Sequence, residues 1–185
     1  MSLAKQFEKN VATQLNNIKD TYVYRLSDLV NKFGVSNPCD YFCFYKNTFF
    51  LLEMKTTEQA SLPLKNISDF QYTSMLEASS KKGIKSYFIV WWYSKGITRA
   101  IPVGVIKDIR ETNKKSIRYD YKDKRIIDID GVKKKMYFEY DWKKFFKGCM
   151  NSGSKKRDTT KGRVRCKSDR RYSSRYCRSA NKRIR

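Results

Sequence analysis

Two blocks of aromatic and aliphatic residues, 40–45 and 48–55, are separated only by Lys46-Asn47. A gap of two residues leaves the chain one short path, an antiparallel hairpin, and no other local feature constrains the fold as tightly. In such a hairpin the residues whose numbers sum to 93 face one another. That register sets Asp40 directly across from Glu53, with Cβ atoms about 4.5–5.5 Å apart. Two carboxylates so placed repel and raise each other's pKa unless a cation lies between them. Side chains alternate along a strand, so Lys55 shares a face with Glu53 while Phe50, Leu52 and Met54 point the other way. The expectation is one apolar face, turned to the core, and one face that holds charge.

Helices and strands alternate around this hairpin, which makes the chain α/β. Ser2 is placed to cap a helix running to about Ile18, in which Phe7, Val11 and Leu15 make one buried stripe and Glu8 lies beside it. A strand at 22–26 and a short helix from Ser27 to Gly34 follow, then turn chemistry at Ser36-Asn37-Pro38. Residues 56–64 read as a loop because Pro63 cannot donate to a ladder, and Ser68 opens a helix that runs to about Lys82 and stops at Gly83. Residues 84–93 are β-branched and aromatic without alternation, as expected of a central strand covered on both faces. A second strand at 97–103 and a short helix at 105–112 come next. The stretch 117–130 is ambiguous, and a last strand within 135–140 precedes a helix opened by Asp141.

At 185 residues and 40% hydrophobic content, the chain suits one domain with a core plus an extension. Forty-one Lys and Arg against 18 Asp and Glu leave a net charge of +23, which points to a polyanionic partner, nucleic acid first. Residues 151–185 hold 14 of the basic and 2 of the acidic side chains. Apolar content collapses after Gly148, so the expected boundary lies near Met150, with a domain over 1–150 and a basic, disordered tail over 151–185. The tail lacks the interleaved apolar residues of an interfacial helix, and the longest apolar run, 87–93, is too short to span a bilayer. With no apolar h-region in 1–19, the expectation is a cytoplasmic protein. Cys39, Cys43, Cys149, Cys166 and Cys177 form no C-x-x-C pair and no histidine is present, so mixed Cys/His zinc sites are excluded and the thiols read as reduced.

Without histidine, the best candidate for chemistry is a carboxylate-metal site. Magnesium favours one or two carboxylates, several waters and a substrate phosphate, and Asp40 with Glu53 meets that number. Phosphodiester hydrolysis needs an activated water, neutralised phosphate charge and help for the leaving oxygen, all of which a divalent metal supplies. Lys55 adds a flexible positive charge beside it. The competing explanation is structural: Glu53 and Lys55 as the exposed side of an edge strand.

Four segments then appear in order: Ser36-Asn37-Pro38-Cys39-Asp40-Tyr41, Leu52-Glu53-Met54-Lys55-Thr56, Leu62-Pro63-Leu64-Lys65-Asn66-Ile67 and Phe70-Gln71. Together they resemble RecU-type Holliday junction resolvases, particularly the short phage-type relatives, within the restriction-endonuclease-like PD-(D/E)xK superfamily. The resemblance covers roughly residues 7–103. It implies a restriction-endonuclease-like central mixed sheet flanked by helices, with Asp40 and Glu53 binding Mg2+ (Mn2+ as a substitute), Lys55 as the catalytic lysine and Gln71 completing the metal surroundings. Glu8 would be the acidic residue of the first helix. Two of these residues have a plainer reading: Gln71 also forms a capping box with Ser68, and Glu8 suits a solvated helix face. Pro38 departs from the family, standing where bacterial members carry a hydroxyl residue. Only about twenty residues, 20–39, occupy the place of the stalk that those members insert.

The expected activity is Mg2+-dependent resolution of four-way DNA junctions by symmetric cuts. A two-fold symmetric substrate implies a homodimer. Two rivals stand beside it. One is another nuclease of the same superfamily acting on duplex DNA. The other is a non-catalytic basic nucleic-acid-binding protein in which the tail binds and the hairpin acids are structural. In the resolvase reading the tail replaces lost binding surface by neutralising phosphates, and Tyr172 and Tyr176, among Arg170, Arg171, Arg175 and Arg178, either stack on unpaired bases or are incidental in a disordered arm.

Overall fold

The computed structural model describes residues 2–26, 36–135 and 137–151. Its elements, in chain order, are α1 (Leu3–Asn16), β1 (Thr21–Arg25), β2 (Tyr41–Tyr45), β3 (Thr48–Thr57) and β4 (Ser61–Pro63). A single 3-10 turn (Leu64–Asn66) leads into α2 (Asp69–Ser79), β5 (Ile84–Trp92), β6 (Ile97–Pro102) and α3 (Val103–Glu111). The short strands β7 (Ser116–Arg118), β8 (Ile127–Asp128), β9 (Gly131–Lys133) and β10 (Phe138–Tyr140) precede α4 (Trp142–Asn151). Six strands make one mixed sheet in the order β1-β2-β3-β5-β6-β8, with β3 and β5 parallel and the other neighbours antiparallel. The α/β architecture with a central mixed sheet flanked by helices is therefore as expected.

The sheet has an apolar layer on each side. On one side Phe7, Val11 and Leu15 of α1, with Phe145 and Phe146 of α4, cover Phe50, Leu52 and Met54 of β3 and Ile89 of β5. On the other, Met75 of α2 and Val105, Ile106 and Ile109 of α3 cover Leu51 of β3 and Phe88, Val90 and Trp92 of β5. This corrects the expectation of one apolar and one charged face on β3. Leu51 lies between the two, on the same side as Glu53, so the charged face is itself roofed by helices and Glu53 is only 2% exposed. The absence of clean alternation in Phe49-Phe50-Leu51-Leu52 is the mark of a strand buried on both faces. With neighbours on either edge, β3 is not an edge strand, which removes the structural explanation of Glu53 and Lys55.

The hairpin register is as read: Tyr41 pairs with Leu52 and Tyr45 with Thr48. Lys46 takes a left-handed φ of 53° to close the turn. The ladder nevertheless stops at Tyr41, one residue short of the expected strand. Asp40 donates its N–H to the Leu52 carbonyl at 3.2 Å, a partner shifted by one residue from Glu53. Element ends moved elsewhere for similar local reasons. β3 extends to Thr57, α1 stops at Asn16 and α2 stops at Ser79, with Gly83 at φ 85° completing the turn into β5. Residues 56–64, expected as loop, contain β4, which pairs with β7, and Pro63 sits at its last position. Helix α3 starts at Val103, directly after β6, rather than at 105. The segment 135–140 forms a strand only from Phe138. The expected short helix from Ser27 to Gly34 and the tail lie outside the described residues.

Candidate active site

Asp40 reaches the site from the end of β2 and Glu53 and Lys55 from the middle of β3, while Gln71 enters from the first turn of α2. Asp40 is held where β2 ends because its Oδ2 accepts the Met54 N–H at 2.7 Å, filling the place a strand carbonyl would have taken. Glu53 Oε1 receives two donors: the Lys55 Nζ at 2.8 Å and the Gln71 Nε2 at 2.8 Å. Gln71 Oε1 in turn accepts from Lys55 Nζ and from the Ser68 N–H, each at 3.4 Å. Ser68 Oγ accepts the Gln71 N–H at 3.2 Å, so the capping box is complete. The two readings of Gln71 are thus simultaneous: one amide closes the helix cap and orients Glu53.

Burial dominates the electrostatics. It raises the Glu53 carboxyl to about 7, with the Asp40 charge adding to the shift and Lys55 opposing it. Burial also raises Asp40, against the pull of the Met54 N–H and of Lys55. The two acids are close enough to shift each other's titration, and as a pair they behave as like charges forced together. Cys39, buried beside them, is pushed up to about 12 and stays a neutral thiol.

Glu8 enters from α1. It pairs with Arg25 at 3.7 Å and lines a cavity of about 530 Å³ with Arg25 and Tyr41, on the α1 side of the sheet. Arg25 also acts on Asp40, lowering its pKa, so its charge links Glu8 to the acid pair. Sequence reasoning passed over Arg25. Its signal lay in strand pairing, since β1 sets Arg25 opposite Tyr41, the residue after Asp40.

A family model described as RecU, Recombination protein U, matches residues 13–146. The chain belongs to the RecU family. RecU-type proteins are Holliday junction resolvases of DNA recombination, and the matched span includes Asp40, Glu53, Lys55 and Gln71 but not Glu8. Among solved structures, the chain is similar to Hjc of Archaeoglobus fulgidus, a Holliday junction resolvase from an archaeal hyperthermophile. Identity is 17% and the TM-score 0.42, over 56% of this chain and 75% of that one. No curated protein sequence matches.

The donors in this RecU chain suit a hard divalent cation. Glu53 Oε2 is buried without a hydrogen-bond partner, an arrangement that costs on the order of 1–3 kcal/mol or more unless a ligand satisfies it. Among the described residues no group of three or more His, Cys, Asp or Glu is assembled for a metal. Two carboxylates with remaining positions left to water and phosphate are the pattern of Mg2+ rather than of Zn2+. The Gln71 amide presents its nitrogen to Glu53, so it orients the acid; as a ligand it would need its oxygen turned inward.

Proposed function

We propose that this RecU-family chain is a Mg2+-dependent endonuclease that works as a homodimer in the cytoplasm and resolves four-way DNA junctions by two symmetric cuts. Residues 1–150 form its nuclease domain and 151–185 a basic tail. The observation that carries the reading is the pair of a buried Glu53 and a half-buried Asp40, with the Lys55 ammonium 2.8 Å from Glu53. Holding two anions in a nearly dry site is unfavourable unless a cation and a polyanionic substrate arrive there.

Asp40 and Glu53 would hold the ion, with Gln71 a third ligand once its amide turns to present its oxygen. A bound divalent ion supplies neutralisation of the phosphate and a more acidic water. The chain supplies the rest. Met54 N–H fixes the Asp40 carboxyl, and Gln71 and Lys55 fix Glu53, so both acids are positioned before substrate binds. The Lys55 side chain is 18% exposed against 3% for Glu53, so its ammonium can meet the negative charge developing on the scissile phosphate.

Comparing cleavage of a mobile four-way junction with cleavage of linear duplex in Mg2+ tests the substrate. Preferential paired nicking of the junction is expected, and equal cutting of both removes the junction claim. Asp40→Asn and Glu53→Gln test the chemistry: both should abolish cutting while junction binding persists. Retained cutting in either variant would sink the assignment of the site.

A further inference from the structure

A second feature occupies the same side of the sheet. A groove of about 800 Å³ runs past the start of α2, lined by Lys65, Arg110, Lys114 and Lys115, with Ser68 and Asp69 at one wall. Among the described residues Asp69 is the only acid that lines it. The cations come from three places in the chain and are brought together by the small β4-β7 sheet. Pro63 pairs with Ser116, and the Leu64 N–H donates to the Lys115 carbonyl at 2.8 Å, so the turn bearing Lys65 is fastened to the segment bearing Lys114 and Lys115. Arg110 is held in place by three contacts. Its guanidinium lies 4.1 Å over the Tyr72 ring and donates to the Ile67 carbonyl at 3.2 Å and to Asp69 Oδ1 at 2.9 Å.

This grouping is unfavourable by itself, since like charges gathered in one concavity repel. Its position supplies a reason. Ser68, part of the groove wall, is the same residue whose hydroxyl and amide hold Gln71, and Gln71 holds Glu53. The groove therefore begins one helical turn from Gln71, the residue that contacts Glu53.

We infer that this groove is a phosphodiester track: Lys65, Arg110, Lys114 and Lys115 bind the backbone of the DNA arm leading from the site of cutting, independently of base sequence. The inference rests on the nuclease reading above. Lysine and arginine neutralising phosphates position a duplex without reading it, and each such contact contributes to the salt dependence of binding. Asp69 opposes the track: it is 90% exposed in its side chain and places a negative charge against the incoming phosphates.

The test measures junction binding by the full chain in EDTA, across a salt series, so that no cutting is involved. The triple variant Lys65→Ala, Lys114→Ala, Lys115→Ala should lower the slope of log K against log salt by about 3, equally for duplex arms of different sequence. A control, Lys133→Ala, Lys134→Ala, Lys135→Ala, removes the same charge on the α1 side of the sheet, beside Tyr137 and Phe138. It should leave the slope nearly unchanged. Asp69→Asn should tighten binding at low salt. An equal loss in both triples, an unchanged slope in the groove triple, or anything but tightening in Asp69→Asn overturns the track. An absence of cutting by the unaltered chain in Mg2+ removes the nuclease reading instead and leaves these binding results standing, so the two failures are separable.

Discussion

A carboxyl group 2% exposed beneath a helix is tolerated only because three neighbours compensate it. For Glu53 they are the Lys55 ammonium, the Gln71 amide and a proton. With its pKa raised to about 7 from an ordinary value near 4.5, the folded protein holds that proton more tightly than the unfolded chain does. The stability this contributes is fully present below the unfolded value and is lost as pH rises through about 7. The metal-free protein should therefore require less urea to unfold at pH 8 than at pH 5.5, and Glu53→Gln should flatten that difference; parallel pH profiles for the two proteins would contradict it. Lys55→Ala belongs to the same scale. Removing one charge-stabilising donor should slow cutting by about 10²- to 10³-fold, and Lys55→Arg should restore little, since a planar fork does not replace a compact ammonium. Single-turnover rates at saturating metal measure both.

Helix α2 and strand β3 show how one element serves structure and site together. Ser68→Ala removes the cap and should cost about 1 kcal/mol of stability while Gln71 keeps its contact with Glu53. Gln71→Ala loses both halves and should reduce cutting well beyond what Ser68→Ala does. Equal activities in the two would mean that Gln71 is a cap residue only. In β3, Phe50 is fully buried and packs against Phe145 and Phe146 at 6.1 and 5.4 Å, so Phe50→Ala should destabilise the fold by about 3–5 kcal/mol in chemical unfolding. The long elements were legible from periodicity or from continuous apolar runs. The strands β4, β7 and β8, of two or three residues, carry no period to read, and their existence depends on partners distant in sequence.

For the whole molecule, charge and symmetry decide behaviour. The tail, 151–185, lies outside the described residues, yet its 14 basic side chains bear on affinity by charge alone. Its deletion should weaken junction binding most at low salt and leave cutting by a saturated enzyme in place. If the truncated chain binds as tightly at low salt, the tail contributes nothing. A homodimer should appear as twice the chain mass in light scattering, and each dimer should nick both strands of one junction. Cys39, Cys43 and Cys149 are buried and in no disulfide among the described residues, and no described helix is long and apolar enough to cross a membrane.

From the sequence alone came the hairpin and its register, because a two-residue loop leaves one geometry. The same spacing set Asp40 against Glu53 with Lys55 beside them, and the ordered motifs pointed to the family that the comparison shows. Tertiary structure decided what spacing cannot carry: that the face bearing Glu53 is roofed by α2 and α3, that Asp40 leaves the ladder to accept the Met54 N–H, and that Glu8 pairs with Arg25. The basic groove also existed only once β4 met β7. The physical reason is range. Hydrogen-bonded neighbours along a strand are fixed by counting residues, whereas burial, and with it the charge state of a buried acid, depends on which distant surface comes to lie on top.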